Sequence, residues 1–218
     1  MEETGTTRRH KRMDEKKLAY KRALQDLQLN RLKGTFQDQI EGEKHRAMCV
    51  YFTEHLYSAR DFTERNESFM KLIRSFERTL GKDMLHTASQ LLELHDLSDQ
   101  LDEEIVDKLI EMGCGLDFTM EDYERAYFLV DNYDIRVHQI DLIVESVHRV
   151  HHIAHWPFMG FLLKTLYAGA RVLRATAIVD FLQAGYDAMH SVDDPTEFTA
   201  LIRERELQRL DRIYGVTK

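Results

Sequence analysis

Apolar residues recur every three to four positions over long stretches of this chain, a spacing that predicts helices joined by short connections. From Asp14 onward, Leu18, Leu24, Leu27, Leu29 and Leu32 share one broad helix face. Gly34 and Gly42 weaken that stretch before a second helix, which ends near Tyr57. Residues 58–61 read as a turn, and a third helix covers residues 63–80 and stops at Gly81. Asp83 caps a fourth helix reaching Met112, with Gly113-Cys114-Gly115 as its stop signal. Thr119 opens a fifth, and Asp122 three residues on gives a capping-box pattern. Asp134 opens a sixth, which must end before Pro157. Residues 158–167 and 171–190 form two apolar helices on either side of Gly169. Asp194-Pro195-Thr196-Glu197 starts the last helix, which runs to Tyr214, with an acidic cap followed by proline at the first helical position.

Composition supports the helical pattern. The 218 residues are 43% hydrophobic, enough to bury one core. With two prolines, Pro157 and Pro195, and ten glycines, a many-stranded sheet would lack its turns. The expected fold is an all-α, single-domain helical bundle of about seven to eight helices over residues 14–218, preceded by a disordered basic arm over residues 1–13.

The formal net charge of −8 is unevenly distributed: residues 1–33 carry a local +5 and residues 34–218 a local −13. An acidic body is a poor binder of nucleic acid, which needs many phosphate-neutralising cations. The basic start of the chain (Arg8, Arg9, Lys11, Arg12, Lys16, Lys17) reads as a solvated arm or helix face. Between Glu93 and Glu124 stand twelve acidic residues and one basic residue, Lys108, a solvated face able to dock a basic partner or this chain's own basic N-terminal arm. Asp99, Asp102 and Asp107 lack the glycine and spacing of a calcium loop. The first dozen residues are polar, unlike a secretory leader, and no apolar run approaches the roughly 18 residues of a membrane span. Cys49 and Cys114 form no paired motif and read as free thiols, which points to a reducing, cytoplasmic setting.

Tyr51-Phe-Thr-Glu-His-Leu-Tyr57, continuing as Ser58-Ala-Arg-Asp-Phe62, resembles the signature of an uncharacterised bacterial family named for its FFLEELY motif. The likeness continues in order: Arg31-Leu32 with Phe36, then Pro157-Phe-Met-Gly-Phe-Leu-Leu163, Phe181-Leu-Gln-Ala-Gly-Tyr186 and Arg203-Glu-Arg-Glu206 are each similar to an element of that family. It spans about residues 31–215. Tyr51, Thr53, His55 and Ser58-Ala59 depart from its pattern of Phe, Leu, Glu and Gly-Pro. The resemblance implies a bacterial, cytoplasmic, helical protein and carries over no catalytic residue. From the spacing alone, Phe52, His55 and Leu56 share a helix face, flanked by Tyr51 and Tyr57, and such aromatics serve as packing anchors.

The sixth helix carries the most informative chemistry. Asp134, His138, Asp141, Glu145, His148, His152 and His155 repeat at steps of four and three, which places them on one stripe. Ile140, Ile143, Val147, Val150 and Ala154 form the opposite, apolar stripe, so the polar one is expected to face water or a partner. Within it, Glu145, His148 and His152 have the spacing of metal ligands, with iron, manganese or zinc as the candidate ions, although a di-iron site would need a second Glu-x-x-His that the chain lacks. His86 and Glu93-Leu-His95 are the plausible further ligands. The remaining members, Asp134, His138, Asp141 and His155, suit an interaction surface, and its histidines would gain charge as the pH falls through about 6.5.

Enzyme signatures are absent: there is no Gly-x-Ser-x-Gly elbow and no glycine-rich phosphate loop. Residues 156–185 are the least polar part and read as a central buried hairpin, with a pocket for an apolar ligand as the alternative. The leading functional expectation is a non-enzymatic helical interaction or scaffold protein that binds a protein partner or a second copy of itself and needs no cofactor. The alternatives are a metal- or haem-binding bundle with oxidoreductase activity, centred on Glu145, His148 and His152, and a carrier of an apolar small ligand.

Overall fold

The computed structural model describes residues 15–56, 82–173 and 176–216. The N-terminal arm, the turn at 58–61 and the expected helix at 63–80 lie outside these residues. Every regular element among the described residues is helical. In chain order they are α1 (Glu15–Thr35), α2 (Gln37–Glu41), α3 (Arg46–Val50), a π-helical segment (Tyr51–Leu56), α4 (Lys82–Glu111), α5 (Met120–Val130), α6 (Tyr133–Ala154), α7 (Met159–Leu173), α8 (Thr176–His190) and α9 (Thr196–Tyr214). The all-α expectation holds. No helix among the described residues is long and apolar enough to cross a membrane.

The helix ends follow local chemistry. Thr119 accepts from the Asp122 backbone N–H at 3.2 Å while the Asp122 carboxylate accepts from the Thr119 N–H at 2.8 Å, the reciprocal pair the sequence predicts for α5. Asp194 accepts from the Thr196 N–H at 2.9 Å and from its hydroxyl at 2.6 Å, so α9 has its acidic start, but Pro195 sits one position before the first helical residue. Gly169 does not divide the apolar pair: α7 runs through it to Leu173. One glycine inside a helix costs only about 1 kcal/mol, which neighbouring turns absorb. The stretch after α1 is more broken than its periodicity suggests, because Gly42 adopts an extended backbone after α2.

α6 is the central helix, packed against α4 and α9 along its length and against α8 near its end. Two core clusters result. One gathers Tyr20, Leu24, Ile105, Leu109, Tyr123, Tyr127, Ile140 and Leu210. The other gathers Leu32, Phe36, Met48, Val147, Met189, Phe198 and Ile202. α7 and α8 pair as expected, with Met159 and Leu163 packed on Met84 and Ala88. Their hairpin is not fully buried, however: Phe158 and Phe161 are 53% and 74% exposed at the start of α7. Lys17 and Lys21 of α1 pair with Asp107 and Asp99 of the acidic α4, while the basic arm expected to dock there lies outside the described residues.

Candidate functional site

Where the two core clusters meet, the helices do not close. A cavity of about 140 Å³ lies among α1, the π-helical segment, α4, α5, α6 and α9. An empty hole of this size would cost on the order of 3 kcal/mol in lost packing, so a sequence that merely needed stability would fill it. The apolar part of its wall comes from Leu32, Phe36, Phe52, Ile143, Phe198 and Ile202. The polar part comes from Gln28, Arg31, Ser98, Asp102, Arg136, Gln139, Glu206 and Arg209, with Tyr123 and Tyr127 beside them.

Local structure explains how these groups are held. The αL residue Asp131 ends α5 at φ 55°, and Asn132 fixes the turn by donating from Nδ2 to Glu104 at 2.7 Å and from its backbone N–H to the Tyr214 hydroxyl at 3.2 Å. Arg136 stands just beyond this turn, on the core side of α6. The π-helical widening begins at Tyr51, and the buried Thr53 hydroxyl donates to the Cys49 carbonyl at 2.9 Å, the kind of side-chain bond that competes with the regular ladder. Phe52 and Thr53 there line the cavity, while Tyr51 packs on Phe181 of α8 at 5.5 Å between ring centres.

The electrostatics of the polar wall are unbalanced. Arg136 is 3% exposed; it donates to the Leu101 carbonyl at 3.1 Å and to Gln139 at 3.3 Å, and its Nε–H has no hydrogen-bond partner among the described residues. Its guanidinium carbon lies over the Tyr127 ring at 4.2 Å, and that of Arg209 is 5.2 Å from the same ring. Arg209 also leaves Nε and one terminal nitrogen without a hydrogen bond among the described residues; its nearest carboxylate, Glu124, is 3.6 Å away and is held by Arg212 at 2.7 Å. Arg31 and Glu206 form an ion pair with each other. Asp102 accepts from Gln28 at 2.9 Å, and burial pushes its carboxyl up, toward the neutral form. Burial likewise pushes the Tyr127 phenol well above its ordinary range, so it stays protonated. Two guanidiniums that cannot lose their charge therefore stand in the cavity wall with part of their donor capacity unused.

A family model described as Domain of unknown function (DUF8198) matches residues 7–218. The chain belongs to this family. No curated protein and no solved structure matched the chain.

The polar stripe predicted on the sixth helix lies, in this DUF8198 chain, on the side of α6 away from the cavity. Asp134, His138, Asp141, Glu145, His152 and His155 are exposed and His148 is half-buried. Asp141 accepts from Arg203 at 3.0 Å. Glu145 accepts from Arg149 at 2.6 and 3.0 Å, which holds its carboxyl below the usual range. His148 lies 2.9 Å from the Thr199 hydroxyl, and His152 packs edge-on to Trp156. Glu145, His148 and His152 thus each engage a different partner. No group of three His, Cys, Asp or Glu residues with metal-holding geometry occurs among the described residues. What the fold does assemble is a stack in which His155 lies between His151 at 4.2 Å and His190 at 4.3 Å. Of the motif aromatics, Tyr51 and Phe52 are packed as described, while Tyr57 and the side chain of Leu56 lie outside the described residues.

Sequence reasoning missed the cavity wall, yet a signal was present. Polar residues interrupt the inward stripe of four helices. Gln28 and Arg31 stand between Leu24 and Leu32 on α1, and Asp102 next to Leu101 on α4. Arg136 stands one turn before Ile140 on α6, and Glu206 and Arg209 between Ile202 and Leu210 on α9. Each is unremarkable alone; together they form one polar layer.

Proposed function

We propose that this is a binding protein rather than a catalyst, and that its helices are built around a small ligand held in the central cavity. The carrying observation is Arg136: a nearly fully buried guanidinium in the cavity wall whose Nε–H has no hydrogen-bond partner among the described residues. A buried charge with an unmet donor is costly, and a ligand that accepts from it would offset that cost. A wall that sets convergent polar groups against an apolar side suits a small molecule with one polar end. The reading keeps the carrier idea but moves it from the 156–185 hairpin to the centre of the bundle. Arg31, Leu32, Phe36, Phe52 and Glu206 all line the cavity and all belong to segments that resemble the FFLEELY-motif family. That resemblance and the two free thiols support a bacterial, cytoplasmic setting. The metal- or haem-binding reading has less support, because Glu145, His148 and His152 engage separate partners.

Non-denaturing mass spectrometry of tag-free protein tests the reading. A small-molecule adduct released on unfolding is the expected result. A protein with no adduct, which no compound in a small-ligand thermal-shift screen stabilises, counts against it.

A second reading, a helical interaction protein, is favoured by one observation: Phe158 and Phe161, one turn apart, are both exposed beside Trp156. Light scattering of the native protein and of a Phe161→Ser variant tests it. Self-association lost in the variant supports this role, and a monomer at all concentrations removes its self-associating form.

A further inference from the structure

We infer that the ligand of this cavity is a small monocarboxylate with an apolar tail, its carboxylate taken by Arg136 and its charge shared with Arg209. The inference rests on the cavity being a ligand site, as proposed above, and specifies what enters it.

The sign of the ligand follows from the groups that face it. Of the charged side chains in the wall, Arg31 and Glu206 neutralise each other by direct pairing. Asp102 is satisfied by Gln28 and inclined by burial toward its neutral form. Glu124, the carboxylate nearest Arg209, is engaged by Arg212 at two oxygens, 2.7 and 3.2 Å away. Arg136 and Arg209 remain: the Nε–H of each has no hydrogen bond among the described residues, and Arg209 Nη2 has a long 3.6 Å ion contact with Glu124. A cation would meet two fixed positive charges, and a neutral ligand would leave them unbalanced. An anion accepts their donors in charge-assisted hydrogen bonds, the strong kind.

The number of charges follows from the same wall. A multiply charged anion such as phosphate would bring its second charge toward Glu206 and Asp102 and its hydration needs toward Phe36, Phe52 and Ile202. One carboxylate places a single flat acceptor at the arginine side and leaves the remainder of the ligand to be covered by hydrocarbon. The volume sets the length. A hole of about 140 Å³ is close to engineered cavities that admit one benzene, so the ligand has roughly six to ten non-hydrogen atoms.

The test uses the full chain, exchanged into ligand-free buffer at pH 7.5 and titrated by calorimetry. The probes are hexanoate and benzoate, their neutral counterparts hexanol and benzamide, and inorganic phosphate. Hexanoate or benzoate should bind with a Kd of order micromolar, and the neutral counterpart at least tenfold more weakly. Arg136→Met should weaken carboxylate binding by about a hundredfold and Arg209→Gln by at least tenfold. If Arg136→Met does not fold, Arg209→Gln and an Ile202→Trp variant that fills the apolar end decide the matter, since both should lose binding. Neutral probes that bind as well as the acids would leave the cavity a ligand site and overturn the carboxylate assignment. Phosphate binding more tightly than either acid overturns it too, as does full hexanoate affinity in both arginine variants. Binding of no probe at all would overturn the cavity reading together with this one.

Discussion

The guanidinium carbon of Arg136 lies 4.2 Å from the centre of the Tyr127 ring, and Arg209 reaches the same ring at 5.2 Å. One buried ring therefore serves a buried and a partly buried cation whose hydrogen-bonding capacity is only partly used. The ring face adds to the hydrogen bonds of Arg136 and to the Glu124 contact of Arg209, and a desolvated cation–π contact contributes about 2 kcal/mol.

Tyr127→Leu and Tyr127→Phe separate this role from simple packing. Phenylalanine keeps the ring face, so unfolding in urea should shift by less than about 1 kcal/mol. Leucine removes it from both cations and should cost about 2–4 kcal/mol. Equal stability of the two variants would show that the ring does no more than occupy space.

His45 gives the protein a pH dependence with a defined sign. Its ring is buried against Phe198; Nδ1 donates to the Gln39 side-chain oxygen at 2.8 Å, and Nε2 has no hydrogen-bond partner among the described residues. Burial lowers its pKa, with Glu197 opposing and Lys44 reinforcing the shift. Above about pH 6.5 the ring is neutral in both folded and unfolded chains. As the pH falls below that value the unfolded chain binds a proton that the folded ring resists, and stability declines until the folded-state pKa is reached. His151, also lowered by burial, acts in the same direction, whereas Asp102, raised by burial, acts in the opposite one. The informative quantity is thus a difference: the drop in Tm from pH 7.5 to 5.5 should be about 2–4 °C smaller in His45→Gln than in the native chain. Identical drops would remove His45 from the account.

The helical plan was legible because it depends on signals a few residues apart. Thr119 with Asp122, and Asp194 with Thr196, announce their helix starts locally, and the apolar stripe of α6 announces its buried face. The continuity of α7 through Gly169 was not legible, since packing outweighs a modest glycine penalty that periodicity cannot rank. Neither was the polar layer. In a chain that is 31% charged, Gln28, Asp102, Arg136 and Arg209 read helix by helix as surface residues near a stripe edge. They come together in one cavity wall only when α1, α4, α6 and α9 are set at one level, which is tertiary information. The same holds for the stack of His155 on His190, whose members look unrelated in the sequence. A regular three-and-four spacing aligns residues along a helix without bringing them to one point, and among the described residues Glu145, His148 and His152 turn separately to Arg149, Thr199 and Trp156.

The two thiols should differ sharply in reactivity. Cys49 lines the cavity, buried, and its pKa is pushed up to about 11 by burial and by the nearby Asp38. At pH 8 about a thousandth of it is thiolate, since each unit below the pKa lowers that share tenfold. Cys114, only half-buried after α4, is raised as well but remains accessible. Alkylation with iodoacetamide followed by mass spectrometry should label Cys114 first and Cys49 about a hundredfold more slowly or only on unfolding. Faster labelling of Cys49 would mean that the cavity opens to solvent more widely than its walls suggest.

Gly185 of α8 faces the ring of Tyr51 across the start of the π-helical segment. A Cβ built at this glycine would sit 2.7 Å from the Tyr51 hydroxyl oxygen and 2.9 Å from the carbon bearing it. Phe181, one turn earlier on α8, packs against the same ring and limits its retreat. Two opposed effects meet here. Alanine is the better helix former by about 1 kcal/mol, so on propensity alone Gly185→Ala would stabilise α8. Forcing a methyl into a filled contact typically costs 1–3 kcal/mol, and the backbone of the π-helical segment would have to move with the ring. The clash should prevail, leaving Gly185→Ala destabilised by about 1–2 kcal/mol in urea unfolding. In a Tyr51→Leu background the ring is gone and the propensity term is left unopposed, so the same substitution should become neutral or stabilising. A coupling energy near zero in this double-mutant cycle would show that the notch in α8 exists for some reason other than to receive Tyr51.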